Sequence, residues 1–153
     1  MEESLTMKLT VDLTRENGFR IKSGNHVFVC DQAAEVPGLH ASLSPSELLI
    51  ASLGASISNS ATEFCKEHSL SVSGLKTILE WEFAGDKNRI GRIDVSVHMP
   101  NSVPADLADD FMCAIHQCEV YQTLQLKPEM HFHSTLDVEK PEGETLIHFA
   151  GAE

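Results

Sequence analysis

The chain has 153 residues, with 23 Asp and Glu against 11 Lys and Arg for a formal charge of −12. That length suits one domain with its own core. The charge argues against a nucleic-acid backbone or an anionic membrane as partner, since Lys and Arg recognise both. The acidic start Met1-Glu2-Glu3-Ser4 is unlike a secretory signal. No run approaches the ~20 apolar residues that a membrane span requires. Four cysteines, Cys30, Cys65, Cys113 and Cys118, include no CxxC pair. They are expected as reduced thiols in a cytosol, not as a disulfide framework or zinc ribbon.

In chain order, Met7, Leu9, Val11 and Leu13 alternate with polar residues and predict a first strand. Asn17-Gly18 marks a turn, Phe19-Arg20-Ile21 opens a second strand, and Ser23-Gly24-Asn25 turns into a third at His26 to Cys30. Asp31 to Leu43, with Pro37-Gly38, reads as a loop. Ser44-Pro45-Ser46-Glu47 combines a capping serine, a proline at the first helical position and a glutamate three residues after the cap. It predicts a helix from there to about Glu67, with Leu49, Leu53, Ile57, Ala61 and Phe64 as its apolar stripe. Ser52, Gly54, Ala55, Ser56, Ser58 and Ser60 are all small, so this helix is expected to be central and nearly enclosed.

Leu75 to Phe83 and Ile90 to Met99 alternate as two strands joined by a hairpin at Gly85-Asp86-Lys87-Asn88. Pro104 and Asp106 start a second helix, with Leu107, Phe111, Ala114 and Ile115 inward, ending near Gln117-Cys118. A short helical turn is expected over 120–124 and a last strand over Met130 to Val138. Strands in hairpins, not alternating with helices, predict an α+β fold. The expected organisation is a single domain over 1–140 and an acidic tail over 141–153.

Two segments carry a resemblance to a known family. Ser44-Pro45-Ser46-Glu47-Leu48-Leu49-Ile50-Ala51-Ser52-Leu53-Gly54-Ala55 resembles the start of the central helix in the OsmC/Ohr family (osmotically inducible protein C and organic hydroperoxide resistance protein). Cys118-Glu119-Val120-Tyr121-Gln122-Thr123-Leu124 resembles that family's second cysteine segment, Cys-Pro-Val-x-x-Thr-Leu. The resemblance implies antiparallel sheets packed around a long central helix in an interlaced homodimer. It also implies thiol peroxidase activity on organic hydroperoxides. A cysteine thiolate on the helix attacks the peroxide and becomes a sulfenic acid. A second cysteine condenses with it to a disulfide, which a dithiol reopens.

The match breaks at the nucleophile. The attacking cysteine of the family follows the Leu-Gly-Ala run, where this chain has Ser56. A serine hydroxyl is far less acidic than a thiol and has no sulfenic state. Gly54-Ala55-Ser56-Ile57-Ser58 also lacks the second glycine of a nucleophile elbow. Cys65 is nine residues further on, roughly 900° round a helix and about 13 Å along it, so it is expected to be a packing thiol on the opposite face. Cys113 and Cys118 are set about 140° apart and are not natural partners.

The resemblance implies an active-site arginine on the first hairpin, for which Arg15 is the best match and Arg20 the second. The glutamate of the hydroperoxide-resistance branch is replaced by Ser46. Cys118, at the junction of two helices, is the expected seat of any remaining thiol reactivity. The candidate site is therefore Cys118, Ser56 and Arg15, with no cofactor and no metal. His131 and His133 share a face of the last predicted strand and are read as solvent-facing, since a metal would need two more ligands. The expected function is a stress-related, cytoplasmic OsmC-like protein whose two-cysteine peroxidase activity is impaired or absent. The alternative is non-enzymatic binding of a small hydrophobic molecule in the pocket at the dimer interface.

Overall fold

The computed structural model describes residues 8–14, 18–30, 42–86, 89–99 and 103–134. Strands β1 (Thr10–Leu13), β2 (Phe19–Ser23) and β3 (His26–Cys30) form an antiparallel sheet in that order. Gly24 takes φ 55° in the two-residue turn between β2 and β3, a conformation that costs glycine little. At the β1–β2 end, the Thr14 N–H donates to the Gly18 carbonyl at 2.8 Å, and the Gly18 N–H donates to Thr14 Oγ1 at 3.1 Å. Leu9, Val11, Leu13 and Phe28 are exposed on one face of this sheet, an apolar surface left open among the described residues.

Helix α1 (Pro45–Glu67) begins where the capping sequence predicts. The Glu47 N–H donates to Ser44 Oγ at 3.3 Å and the Ser44 N–H donates to Glu47 Oε2 at 2.8 Å, which closes the capping box. The helix ends as Ser69 turns left-handed (φ 57°) and the Leu70 N–H returns to the Cys65 carbonyl at 2.7 Å. Strands β4 (Lys76–Phe83) and β5 (Ile90–His98) form a second antiparallel sheet against α1. Gly54 permits the approach, because a Cβ there would lie 2.6 Å from Leu79 Cδ1. The register slips between Glu82 and Phe83, so that Phe83 pairs with Ile90 and Gly91 is left over as a bulge. A Cβ on Gly91 would stand 3.0 Å from the Ala84 backbone, so a side chain there requires that backbone to give by a few tenths of an ångström.

A single 3-10 turn (Ala105–Leu107) leads into α2 (Ala108–His116), and α3 (Glu119–Gln125) follows after two residues. Leu53, Ile57, Ala61, Phe64 and Cys65 of α1 pack with Phe111 and Ile115 of α2 and with Cys118. Phe64 and Phe111 meet edge to face with ring centroids 5.4 Å apart. The result is an α+β fold with antiparallel sheets and a long central helix.

One expectation needs correction. Residues 130–134 of the predicted last strand have no regular structure, and Phe132 is 89% exposed. A strand persists through ladder hydrogen bonds to a neighbour, and none is paired with this segment among the described residues. Residues 135–138 and the tail over 141–153 lie outside them. Within the single chain, Ala51, Ser52, Ala55 and Asn59 of α1 are exposed opposite the core face.

Candidate functional site

The helical phase of α1 separates two roles. Ile50, Leu53, Gly54, Ile57, Ala61, Phe64 and Cys65 are buried, while Ser52, Ala55, Ser56, Asn59, Ser60 and Glu63 fall on the other side at about 100° per residue. Ser58, between the two faces, donates to the Gly54 carbonyl at 2.8 Å and shares a 2.7 Å hydrogen bond with Thr77 on β4. That tie fixes the rotation of α1 relative to the sheet.

Cys118 precedes α3 with an extended backbone (φ −61°, ψ 142°), and its carbonyl accepts from the Gln122 N–H at 3.0 Å. Gln122 Nε2 donates to the His116 carbonyl at 2.7 Å, which fixes the angle between α2 and α3. Held this way, Cys118 is 3% exposed and sits at the edge of the core cluster.

These elements leave a cleft of about 570 Å³ lined by Ser56, Asn59, Ser60, Glu63, Gln117 and Cys118, among others. Asn59 Nδ2 donates to Glu63 Oε1 at 3.0 Å along one wall. The charged side chains lining the cleft are Glu63 and Glu119; no Lys, Arg or His is among its described lining residues. Ser56 and Cys118 thus share one hollow. Arg15 lies outside the described residues, and Arg20 is exposed on β2 opposite Val29.

The other three thiols do not line this cleft. Cys65 is fully buried on the opposite face of α1, and burial pushes its thiol up from the ordinary range. Cys30 is buried on β3, and Cys113 is exposed on α2, where Gln117 Nε2 donates to its Sγ at 3.3 Å. His131 is exposed with Nε2 3.1 Å from Glu129 Oε1, and His133 is exposed as well. Among the described residues no group of three His, Cys, Asp or Glu side chains is placed to hold a metal ion.

A larger groove of about 710 Å³ lies on the other side of α3, walled by Leu49 and Leu53 of α1, Phe83, Ile93 and Val95 of the sheet, and Leu124 of α3. Arg89 and Arg92 also line it, and no Asp or Glu is among its described lining residues. Arg92 is engaged with Asp94 at 2.8 and 2.9 Å. That hydrogen bond, and then the charges of Asp94 and Glu82, hold the guanidinium above even the usual arginine range.

Sequence reasoning missed Asn59, Glu63, Gln117 and Glu119 as cleft residues, and the groove altogether. A signal existed for the first two: Asn59 and Glu63 follow Ser56 by three and seven residues, which is one helix face. The groove had none, since the β-bulge and the angle of α3 create it.

Residues 38–133 match the family described as OsmC-like protein, which is more than half of the chain. No curated protein matches the sequence significantly. Among solved structures, an osmotic stress induced and detoxification response protein from Psychrobacter arcticus 273-4 is similar with TM-score 0.68 at 14% identity, over 80% of this chain and 90% of that one. An OsmC-like protein from Mycoplasma pneumoniae gives 0.66 at 15%, over 82% and 91%. The organic hydroperoxide resistance protein OsmC from Legionella pneumophila gives 0.56 at 14%, over 82% and 93%. The chain belongs to the OsmC-like protein family. Among the described residues no helix is long and apolar enough to cross a membrane.

Proposed function

We propose that this chain is an OsmC-like stress protein whose two-cysteine peroxidase cycle is impaired or absent, because Ser56 stands where the attacking cysteine belongs. The carrying observation is that Ser56 and Cys118 line one cleft from which Cys30, Cys65 and Cys113 are missing. In the full cycle, one sulfur takes the distal peroxide oxygen, alcohol leaves, and the second thiol condenses with the sulfenic acid to a disulfide and water. With one thiol in the cleft, the condensation has no local partner. The test is consumption of cumene hydroperoxide with a dithiol reductant by the unmodified protein and by Ser56→Cys. Turnover in Ser56→Cys alone supports the reading. Turnover by the unmodified protein that disappears in Cys118→Ser overturns it and makes Cys118 the attacking thiol, with Arg15 as the cation to examine beside it.

A homodimer accompanies this reading, supported by the exposed apolar residues of the β1–β3 sheet. The domain spans 1–140, with 141–153 as an acidic tail, and four cysteines with no CxxC pair suit a cytoplasmic setting. A second reading, binding of a small hydrophobic molecule without chemistry, is favoured by the apolar groove beside α3.

A further inference from the structure

Cys118 is 3% exposed, yet it lines the polar cleft, and its side chain makes no capping hydrogen bond to α3. The neighbouring amide of Gln117 donates to Cys113 Sγ instead, at 3.3 Å. A buried thiol that opens onto a hollow without a partner there is left to whatever molecule enters.

Two carboxylates line the same cleft. Glu63 lies on α1, on the helix face of Ser56, and accepts from Asn59 Nδ2 at 3.0 Å. That neutral donor holds the carboxylate without cancelling its charge. Glu119 follows Cys118 directly at the start of α3, where the second cysteine segment of the family has proline. Both are exposed, and neither is in an ion pair among the described residues. Burying two unpaired carboxylates against a partner copy is costly, unlike burying the apolar β1–β3 face, so the cleft is expected to stay wet.

We propose that Glu63 and Glu119 set the charge of what reaches Cys118. Neutral and cationic molecules enter, and anionic ones are excluded, a hydroperoxide that bears a carboxylate among them. Both carboxylates repel an entering anion, and the water of an open cleft weakens that field without reversing it. The inference rests on the reading of Ser56 and Cys118 as one site and deepens it. Among the described lining residues a leaving alkoxide meets carboxylates and no cation, a second departure from a peroxide-reducing site.

The experiment labels the full native chain with three methanethiosulfonates that carry a trimethylammonium, a methyl or a sulfonate group. Cys118 Sγ bonds the outer sulfur of the reagent, methanesulfinate leaves, and the thiol proton goes to solvent. Mass spectrometry follows the Cys118 peptide, and each rate is divided by that of the same reagent with free mercaptoethanol. At low salt the cationic reagent is expected to outrun the anionic one about thirtyfold, falling to about threefold in roughly 0.5 M salt. Glu63→Gln and Glu119→Gln should each reduce the low-salt ratio to about fivefold, and the double variant to about twofold. Equal rates for the three reagents would overturn the proposal. So would a ratio that persists in the double variant, which would assign it to the charge of the whole chain. If even the neutral reagent leaves Cys118 unlabelled, the cleft is closed in the solution assembly and the proposal is lost. Failure of the Ser56 reading shows elsewhere, as cumene hydroperoxide turnover by the unmodified protein, and does not move these ratios.

Discussion

Two hollows flank α3 and share α1 as a wall, one lined by Ser56, Asn59, Glu63 and Cys118, the other by Leu49, Leu53, Phe83 and Arg89. Among the described lining residues, the first has Glu63, Glu119 and a thiol, and the second is mostly apolar with Arg89 and an Asp94-paired Arg92. Their difference comes from helical phase: Leu49 and Leu53 lie a turn apart on one stripe of α1, and Ser52, Ser56, Asn59 and Glu63 on the next. One helix thus serves two kinds of chemistry, with Cys118, Glu119 and Val120 of the α3 segment facing one and Tyr121 and Leu124 the other.

The sharpest way to break the comparison is to add a second sulfur to the polar cleft. If the proposed reading of Ser56 holds, Ser56→Cys is expected to raise hydroperoxide turnover by orders of magnitude, as peroxide assays would show. Next in size, Leu53→Ala should lower stability by about 2–5 kcal/mol in urea melts, because Leu53 belongs both to the core and to the groove wall. A loss under 1 kcal/mol would mean that the groove wall collapses into the space.

Ser44→Ala removes the oxygen that caps α1 and should cost about 1 kcal/mol, leaving both hollows in place. Native-state alkylation should label Cys113 first, Cys118 slowly and Cys65 last, read by mass spectrometry. Cys118 reacting no faster than Cys65 would remove it as the seat of thiol reactivity.

The smallest effect concerns pH. Burial raises Cys65 above its usual value of about 9.0, so the unfolded chain releases this proton first as pH rises. The contribution of Cys65 is fully present below that value and is lost as pH climbs from there through the raised folded value. Urea melts at pH 8 and pH 10 should therefore show a decline that Cys65→Ala reduces, whatever that variant costs at pH 8.

Much of the fold was legible because its signals are local. The capping box at Ser44 and Glu47, the apolar stripe of α1 and the alternation of β4 and β5 each depend on neighbours a few residues away. The segment at 130–134 failed for the complementary reason: its alternation met the local rule for a strand, but pairing depends on a partner that sequence does not supply. Of the candidate site, the phase of Ser56 against Cys65 was readable from 3.6-residue geometry, and the burial of Cys65 agrees with it. That Ser56 and Cys118 line one cleft was not, because 62 residues of chain separate them.

The sequence by itself determined the α+β class, the limits of α1, and the serine at position 56, since periodicity, caps and residue identity are properties of the chain. Tertiary structure decided what shares a cavity. The docking of α3, where Gln122 donates to the His116 carbonyl, puts Cys118 in the cleft that Ser56 lines. The bulge at Gly91 lies in the wall of the groove that Arg89 also lines. Such contacts depend on packing between distant segments, where a one-residue slip or a single Cβ changes which side chains face each other.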